Sequence, residues 1–323
     1  MKIVAELGAS HNGTLERALE TVRAAARCGA DAVKLQTWTP DTMDCGGRWI
    51  ESGPWKGHNL RDLYRKAHTP WDWHRPIADL AGELGMEWWS TPFDHASVDY
   101  LESLNCPRYK IASFEIVDLD LIVHASNTLR PMIISTGMAT EAEITDAVAL
   151  VNPERLTLLR CVSGYPADPI DYNLHSIPDM RRRFGCEVGL SDHTKGVTLP
   201  VVATALGATM IERHLTISRA DGLDDSFAST PDQFLHMVAS VRTAQEALGG
   251  IRYGVVPSEL PQHALRRSLW VCEDVKAGDI VSRQNVRSAR PADGISPGHL
   301  PFALGQVFKV DVAAGTPLKL EHL

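Results

Sequence analysis

Residues 3–36 read IVAELGASHNGTLERALETVRAAARCGADAVKLQ. Ile3–Leu7 is a short apolar run broken by Glu6, Thr14–Cys28 repeats apolar residues at helical spacing, and Ala32–Gln36 is a second apolar run. Successive side chains of a strand point to opposite faces, so Lys34 and Gln36, two apart, share one face. The stretch is a strand–helix–strand unit. It has no GxGxxG after its first strand, which argues against a dinucleotide-binding open sheet.

The same alternation continues outward from this unit. Further strand patterns fall at Glu87–Thr91, Tyr109–Ala112, Met132–Ser135, Leu156–Cys161, Glu187–Ser191 and Thr209–His214. Helical patterns include Trp71–Leu84, Glu141–Val151, Val197–Leu206 and Pro231–Leu248, the last stopped by Gly249-Gly250. Eight strand–helix units in about 250 residues predict an α/β fold, a (β/α)8 TIM barrel over residues 1–250. The alternation ends there. Residues 251–264 read as a linker, and 265–323 as a small β-rich module with strand-like pieces at Ser268–Cys272, Asp279–Val281 and Val307–Val312.

The chain has 323 residues, of which 44% are hydrophobic and 22% charged, as in ordinary globular proteins. Its 32 Lys and Arg against 40 Asp and Glu give a net charge of −8, which argues against nucleic acid or an anionic membrane as partner. The six scattered cysteines form no CxxC, and the N-terminus enters a strand at once, without the apolar segment of a signal peptide. A cytoplasmic protein with reduced thiols is expected.

In such a barrel, chemistry sits at the C-terminal ends of the strands. Polar residues recur there: Glu6; Lys34 and Gln36; Thr91; Lys110, Ser113 and Glu115; Ser135; Ser163 and Tyr165; Ser191 and His193; Glu212 and His214. Singly, a serine there is most often a helix N-cap and a lysine is most often paired or snorkelling. Their coincidence at one rim favours a ligand site. Two lysines with hydroxyls and an amide suit a small phosphorylated carboxylate. His193 and His214 end adjacent strands and suit one divalent metal with open positions. Trp38, Trp49 and Trp55 are expected to pack over the barrel rather than line a sugar pocket.

Seven motifs carry a resemblance that runs over essentially the whole chain: AELGASHNG (5–13), DAVKLQT (31–37), STPFD (90–94), YKIASFE (109–115), ISTGMAT (134–140), GLSDHTKG (189–196) and IERHLT (211–216). Together they resemble the sialic acid (nonulosonate) synthase family, which condenses phosphoenolpyruvate with a hexosamine-derived sugar. RRSLW (266–270) and RPADGISP (290–297) resemble its antifreeze-like SAF domain. Ser113-Phe114-Glu115, TPDTM (39–43) and DSFAS (225–229) resemble the pseudaminic acid branch, whose acceptor is an open-chain 2,4-diacetamido-2,4,6-trideoxy hexose.

The resemblance implies that Lys34, Gln36, Thr91, Lys110, Ser113, Ser135, Ser163 and Ser191 bind phosphoenolpyruvate, and that Glu6 orients or deprotonates the attacking water. It implies that His193 and His214 hold a divalent metal (manganese, magnesium or cobalt), and that Glu115, Tyr165 and Asp225 contact the amino-sugar acceptor. It also implies a domain-swapped homodimer in which the SAF domain brings Arg290 to the partner's barrel. The alternatives are the same chemistry giving N-acetylneuraminate or legionaminate, a Schiff-base aldolase using Lys34 or Lys110, and a non-catalytic carbohydrate-binding barrel.

Overall fold

A computed structural model describes residues 1–219 and 222–323. Among the described residues, eight parallel strands close into a barrel: β1 Lys2–Glu6, β2 Ala32–Thr37, β3 Glu87–Pro92, β4 Tyr109–Ile111, β5 Met132–Ser135, β6 Leu156–Cys161, β7 Glu187–Asp192 and β8 Met210–His214. Each lies within a residue of the run expected from periodicity. The reason is burial on both faces: helices cover the outer face and side chains fill the interior, so the strands read as near-continuous apolar segments.

Local chemistry fixes the helices. Leu15–Arg27 starts at Thr14, whose hydroxyl accepts from the Arg17 amide, and it buries Ala18, Val22 and Ala25 against the barrel. Pro231–Leu248 begins with proline at its first position and ends at Gly249. After β2 come two short helices, Pro40–Met43 and Leu60–Ala67. The turn between them is tied by backbone bonds from Ile50 to His58 and from Leu60 to Arg48.

Register decides which polar side chains meet. Glu6 of β1 lies opposite Lys34 of β2 on one side and His214 of β8 on the other. Gln36 lies opposite Thr91, and Ser191 opposite both Cys161 and Glu212. One rim therefore collects the strand-end set.

The chain divides into two compact units, Met1–Gly249 and Gly250–Leu323. In the second, β9 (Ser268–Val271) pairs antiparallel with β10 (Val286–Ala289) over a core that includes Leu269, Val281, Phe308 and Leu318. The pieces expected at 279–281 and 307–312 form isolated bridges, Ile280 to Val307 and Val275 to Val312, rather than strands. The strand Val286–Ala289 was hidden in the sequence because Arg287 and Ser288 interrupt its apolar pattern. No helix among the described residues is long and apolar enough to cross a membrane.

Candidate active site

The inner end of the rim is a ring of buried charges. Lys34 Nζ lies 2.6 Å from Glu6 Oε2 and donates to Thr91 Oγ1 at 3.0 Å. Gln36 Nε2 donates to Glu6 Oε1 at 2.7 Å. Across the barrel, Lys110 Nζ lies 3.4 Å from Glu212 Oε1, which also accepts from Ser191 Oγ at 3.4 Å. Burial disfavours charge on Lys34, yet Glu212 and Glu6 outweigh it and hold its pKa above the ordinary value. Burial depresses Lys110, which Glu212 only partly offsets. Burial would raise the Glu212 carboxyl, but Lys110 and Lys34 overcome it and hold it down.

Hydroxyls surround these charges. Ser113 Oγ accepts from the Gly137 amide at 3.1 Å. A Cβ at Gly137 would overlap Ser163 Oγ and stand 2.6 Å from Ser113 Oγ, so glycine is what lets the β5 loop reach the serines. Ser135 Oγ, Ser163 Oγ and Glu212 Oε2 are buried without a hydrogen-bond partner among the described residues. Buried polar atoms are nearly always paired. The two serine hydroxyls, as donors next to two lysines, suit an oxyanion ligand.

The two histidines complete the rim. His193 Nδ1 is 2.8 Å from the Val162 carbonyl. His214 Nδ1 is 3.3 Å from Asp224 Oδ2 but is not aligned with it as a hydrogen bond. The ring centroids are 5.5 Å apart at 57°. The carbonyl at His193 Nδ1 accepts a hydrogen bond from that ring nitrogen and leaves the Nε2 lone pair free, the arrangement found behind metal-bound histidines. Among the described residues no third His, Cys, Asp or Glu joins them as a metal set. His193 and His214 could hold a divalent ion only as two imidazoles, with the remaining positions filled by oxygen ligands. Gly8, at φ +47°, permits this packing: a Cβ there would overlap Asp224 Oδ2 and stand 2.9 Å from His214 Nδ1.

Above the ring opens a cavity of about 360 Å³, joined to it through Gln36, Phe93, Tyr165 and His214. The Tyr165 ring lies 4.3 Å from that of His193, 5.4 Å from Trp55 and 4.9 Å from Phe227. Trp38 and Trp55 line this cavity, contrary to the expectation that they only pack over the barrel, because the segment after β2 folds back over the mouth. Trp49 is 64% exposed and lines neither cavity.

Glu115 is also in the cavity wall, and burial pushes its carboxyl up to about 7 against the pull of Lys110 and Lys34. Folding therefore favours its neutral form. That contribution is whole below its ordinary value of 4.5 and is lost as pH rises through about 7. Glu115→Gln is expected to gain about 1–2 kcal/mol over the parent at pH 8 but not at pH 4, by urea unfolding, the half-buried position keeping the effect small.

The structure does not bring Asp225 to either cavity. It pairs with Arg17 (Nη2 to Oδ2, 3.2 Å) and accepts from Thr216 Oγ1 at 2.6 Å and the Gly222 amide at 2.8 Å. Its neighbour Asp224 faces the cavity instead, because the turn at 222–225 points adjacent carboxylates in opposite directions. Asp225→Asn is therefore expected to cost about 2–4 kcal/mol in urea unfolding, through the broken pair with Arg17. Arg290 is exposed in the second unit, directly after β10.

Two further residues enter the site that sequence reasoning did not single out, Asp224 and Cys161. Glu212 carried a readable sign, since it is two residues before His214 and so shares its strand face. Burial would raise the Cys161 thiol, but His193, Ser113 and Lys110 bring it to about 7. Nothing in the sequence marked Cys161 or chose between the two aspartates.

Residues 21–253 match the NeuB family and residues 266–323 the SAF domain. The chain is 41% identical to a pseudaminic acid synthase of Helicobacter pylori, covering 100% of this chain and 97% of that protein. It is 38% identical to one of Campylobacter jejuni, covering 98% and 95%. A crystal structure of N-acetylneuraminic acid synthetase from Leptospira borgpetersenii, in complex with citrate, superposes with a TM-score of 0.72 at 28% identity, covering 80% of this chain and 89% of that one. The chain belongs to the NeuB family and carries an SAF domain after its barrel.

Proposed function

We propose that the protein condenses phosphoenolpyruvate with an open-chain 2,4-diacetamido-2,4,6-trideoxy hexose, giving a nonulosonate of the pseudaminic acid type and phosphate. The observation that carries this reading is the pair of buried lysines, Lys34 and Lys110, set among serine hydroxyls without partners at the base of a sugar-sized cavity. Full-length similarity to pseudaminic acid synthases supports the acceptor assignment.

Lys34, Lys110, Thr91, Ser113, Ser135, Ser163 and Ser191 hold the phosphate and carboxylate of phosphoenolpyruvate, with Gln36 bracing Glu6. Carbon 3 of the enol forms a bond to the aldehyde carbon of the acceptor, and positive character develops at carbon 2. Glu6, held by Lys34 and Gln36, takes a proton from the water that adds there. The tetrahedral intermediate then breaks its C–O bond to phosphate as the keto group forms. A divalent ion held by His193 and His214 would supply Lewis acidity toward the aldehyde oxygen. Glu115, Tyr165 and Asp224 face the acceptor. In a homodimer, Arg290 of the SAF domain would complete the site of the neighbouring barrel. The free cysteines fit a cytoplasmic setting.

The test is turnover with phosphoenolpyruvate carrying ¹⁸O in its bridging oxygen, against a panel of acceptors. The label is expected in the released phosphate, with a product mass equal to acceptor plus pyruvate. Label retained in the sugar, or no phosphate release with any acceptor, would overturn the reading. The depressed Lys110 favours a second reading, a Schiff-base aldolase. That enzyme would be trapped by borohydride with substrate present and would ignore EDTA; the condensation predicts the reverse.

A further inference from the structure

Behind the ends of β2 and β3 lies a polar cluster that the chemistry above does not use. Lys34 and Gln36 face the barrel interior, so Thr37 faces out toward the helices; Thr91 faces in, so Ser90 faces out. Each of these two hydroxyls is one residue from a member of the inner ring. His74, the first residue of the helix His74–Glu83, reaches them from outside. Its Nε2 is 2.7 Å from Thr37 Oγ1, which is 2.6 Å from Ser90 Oγ. All three side chains are fully buried.

The protons in this series have one arrangement. His74 Nδ1 lies 3.2 Å from the Trp71 carbonyl, which can only accept, so Nδ1 carries the ring proton. Burial pushes the imidazole down to about 4, so it is neutral. Nε2 therefore accepts from the Thr37 hydroxyl, and Thr37 accepts in turn from Ser90. Neighbouring rings fix the imidazole further. Tyr100 meets it edge-on with centroids 5.4 Å apart, stacks on Trp71 at 4.4 Å and donates to the same Trp71 carbonyl. The Trp71 indole donates to the Trp38 carbonyl at 3.1 Å, so the stretch from Trp71 to His74 also grips the chain just past the end of β2.

Packing alone does not call for such a cluster. Deeper along the same outer face of β2 stand Val33 and Leu35, apolar and buried. Polar side chains replace them only at the strand ends, where their burial is tolerated because each one is bonded. What hydrogen bonds add over apolar contact is direction. They hold Thr37 against Ser90, and the backbone carries that setting to Gln36, which donates to Glu6, and to Thr91, which accepts from Lys34.

We infer that His74 is a positioning residue: through Thr37 and Ser90 it fixes the ends of β2 and β3 against each other, so that Gln36 and Thr91 hold Glu6 and Lys34 in the geometry the reaction needs. The inference rests on the proposed condensation, in which Glu6 acts on the attacking water. His74 itself touches no substrate. The donor keeps Lys110, Ser113, Ser135, Ser163 and Ser191 elsewhere on the rim, so loss of His74 slows turnover without loosening donor binding.

Phosphate release from phosphoenolpyruvate with 2,4-diacetamido-2,4,6-trideoxy hexose gives kcat, and isothermal titration gives the Kd of phosphoenolpyruvate. His74→Phe and Thr37→Val are each expected to lower kcat by about 10–100-fold while changing Kd by less than about threefold. Both cut one series of bonds, so the double variant should be no slower than the slower single one. His74→Gln, which returns an acceptor near the Nε2 position, is expected to recover most of the loss. Thr37→Val nearly keeps the shape of threonine and decides the matter if His74→Phe does not fold. Folded variants with the parent's kcat, or with donor affinity lost as much as kcat, would overturn the inference and leave the condensation intact. Losses that multiply in the double variant would overturn it too. A parent enzyme that releases no phosphate would overturn the condensation and the inference with it.

Discussion

Lys110→Met is expected to lose about 10²–10³-fold in kcat/KM for phosphoenolpyruvate, the usual loss when one preorganised donor to a developing charge is removed. It should also lose about 3–5 kcal/mol of stability, because Glu212 then stays buried with its nearest cation gone. The two losses have separate causes, and a second substitution separates them. Lys110→Met with Glu212→Gln replaces the orphaned charge by a neutral amide, so stability in urea unfolding should largely return. Activity should not. If the double variant recovered turnover together with stability, Lys110 would be a structural cation and its assignment to the donor substrate would fall. Lys34 gives no such clean separation, because it contacts both Glu6 and Thr91 and feels Glu212 as well.

Gly8→Ala, far milder in chemistry, is expected to reduce divalent-ion affinity and kcat by about 10–100-fold, in line with losses from disturbing groups behind a metal ligand. A methyl group at Gly8 overlaps Asp224 Oδ2 and crowds His214 Nδ1, so one of the two must move. The φ of +47° adds about 1 kcal/mol of backbone strain for any residue with a Cβ. Isothermal titration with manganese and steady-state kinetics would measure both effects. Parental metal affinity in a folded Gly8→Ala protein would show that Asp224 does not position His214.

The barrel was legible because its strands are apolar on both faces and its helices carry ordinary start and stop residues. The inner ring was legible for a related reason. Charged residues such as Lys34 and Lys110 inside apolar runs break the pattern, and a strand fixes which way they point. Asp225 shows the limit. In the irregular stretch around 222–225 no periodicity says which of two adjacent carboxylates faces inward, and Arg17, far away in sequence, claims Asp225 through a long-range ion pair. The individual residues of the outer cavity wall could not be read from pattern, because they come from two short helices and a turn whose order depends on backbone bonds that leave no trace in composition.

The tie between the Ile50 and Leu60 stretches has a consequence for how such an enzyme diversifies. The segment closes on itself through its own backbone bonds, so residues can be gained or lost in it without shifting the register of β2, where Lys34 and Gln36 stand. The outer cavity wall and the strand-end ring are thereby placed on separately editable parts of one chain. Insertions near residue 53 could reshape the mouth of the cavity while the strand-end ring is inherited unchanged.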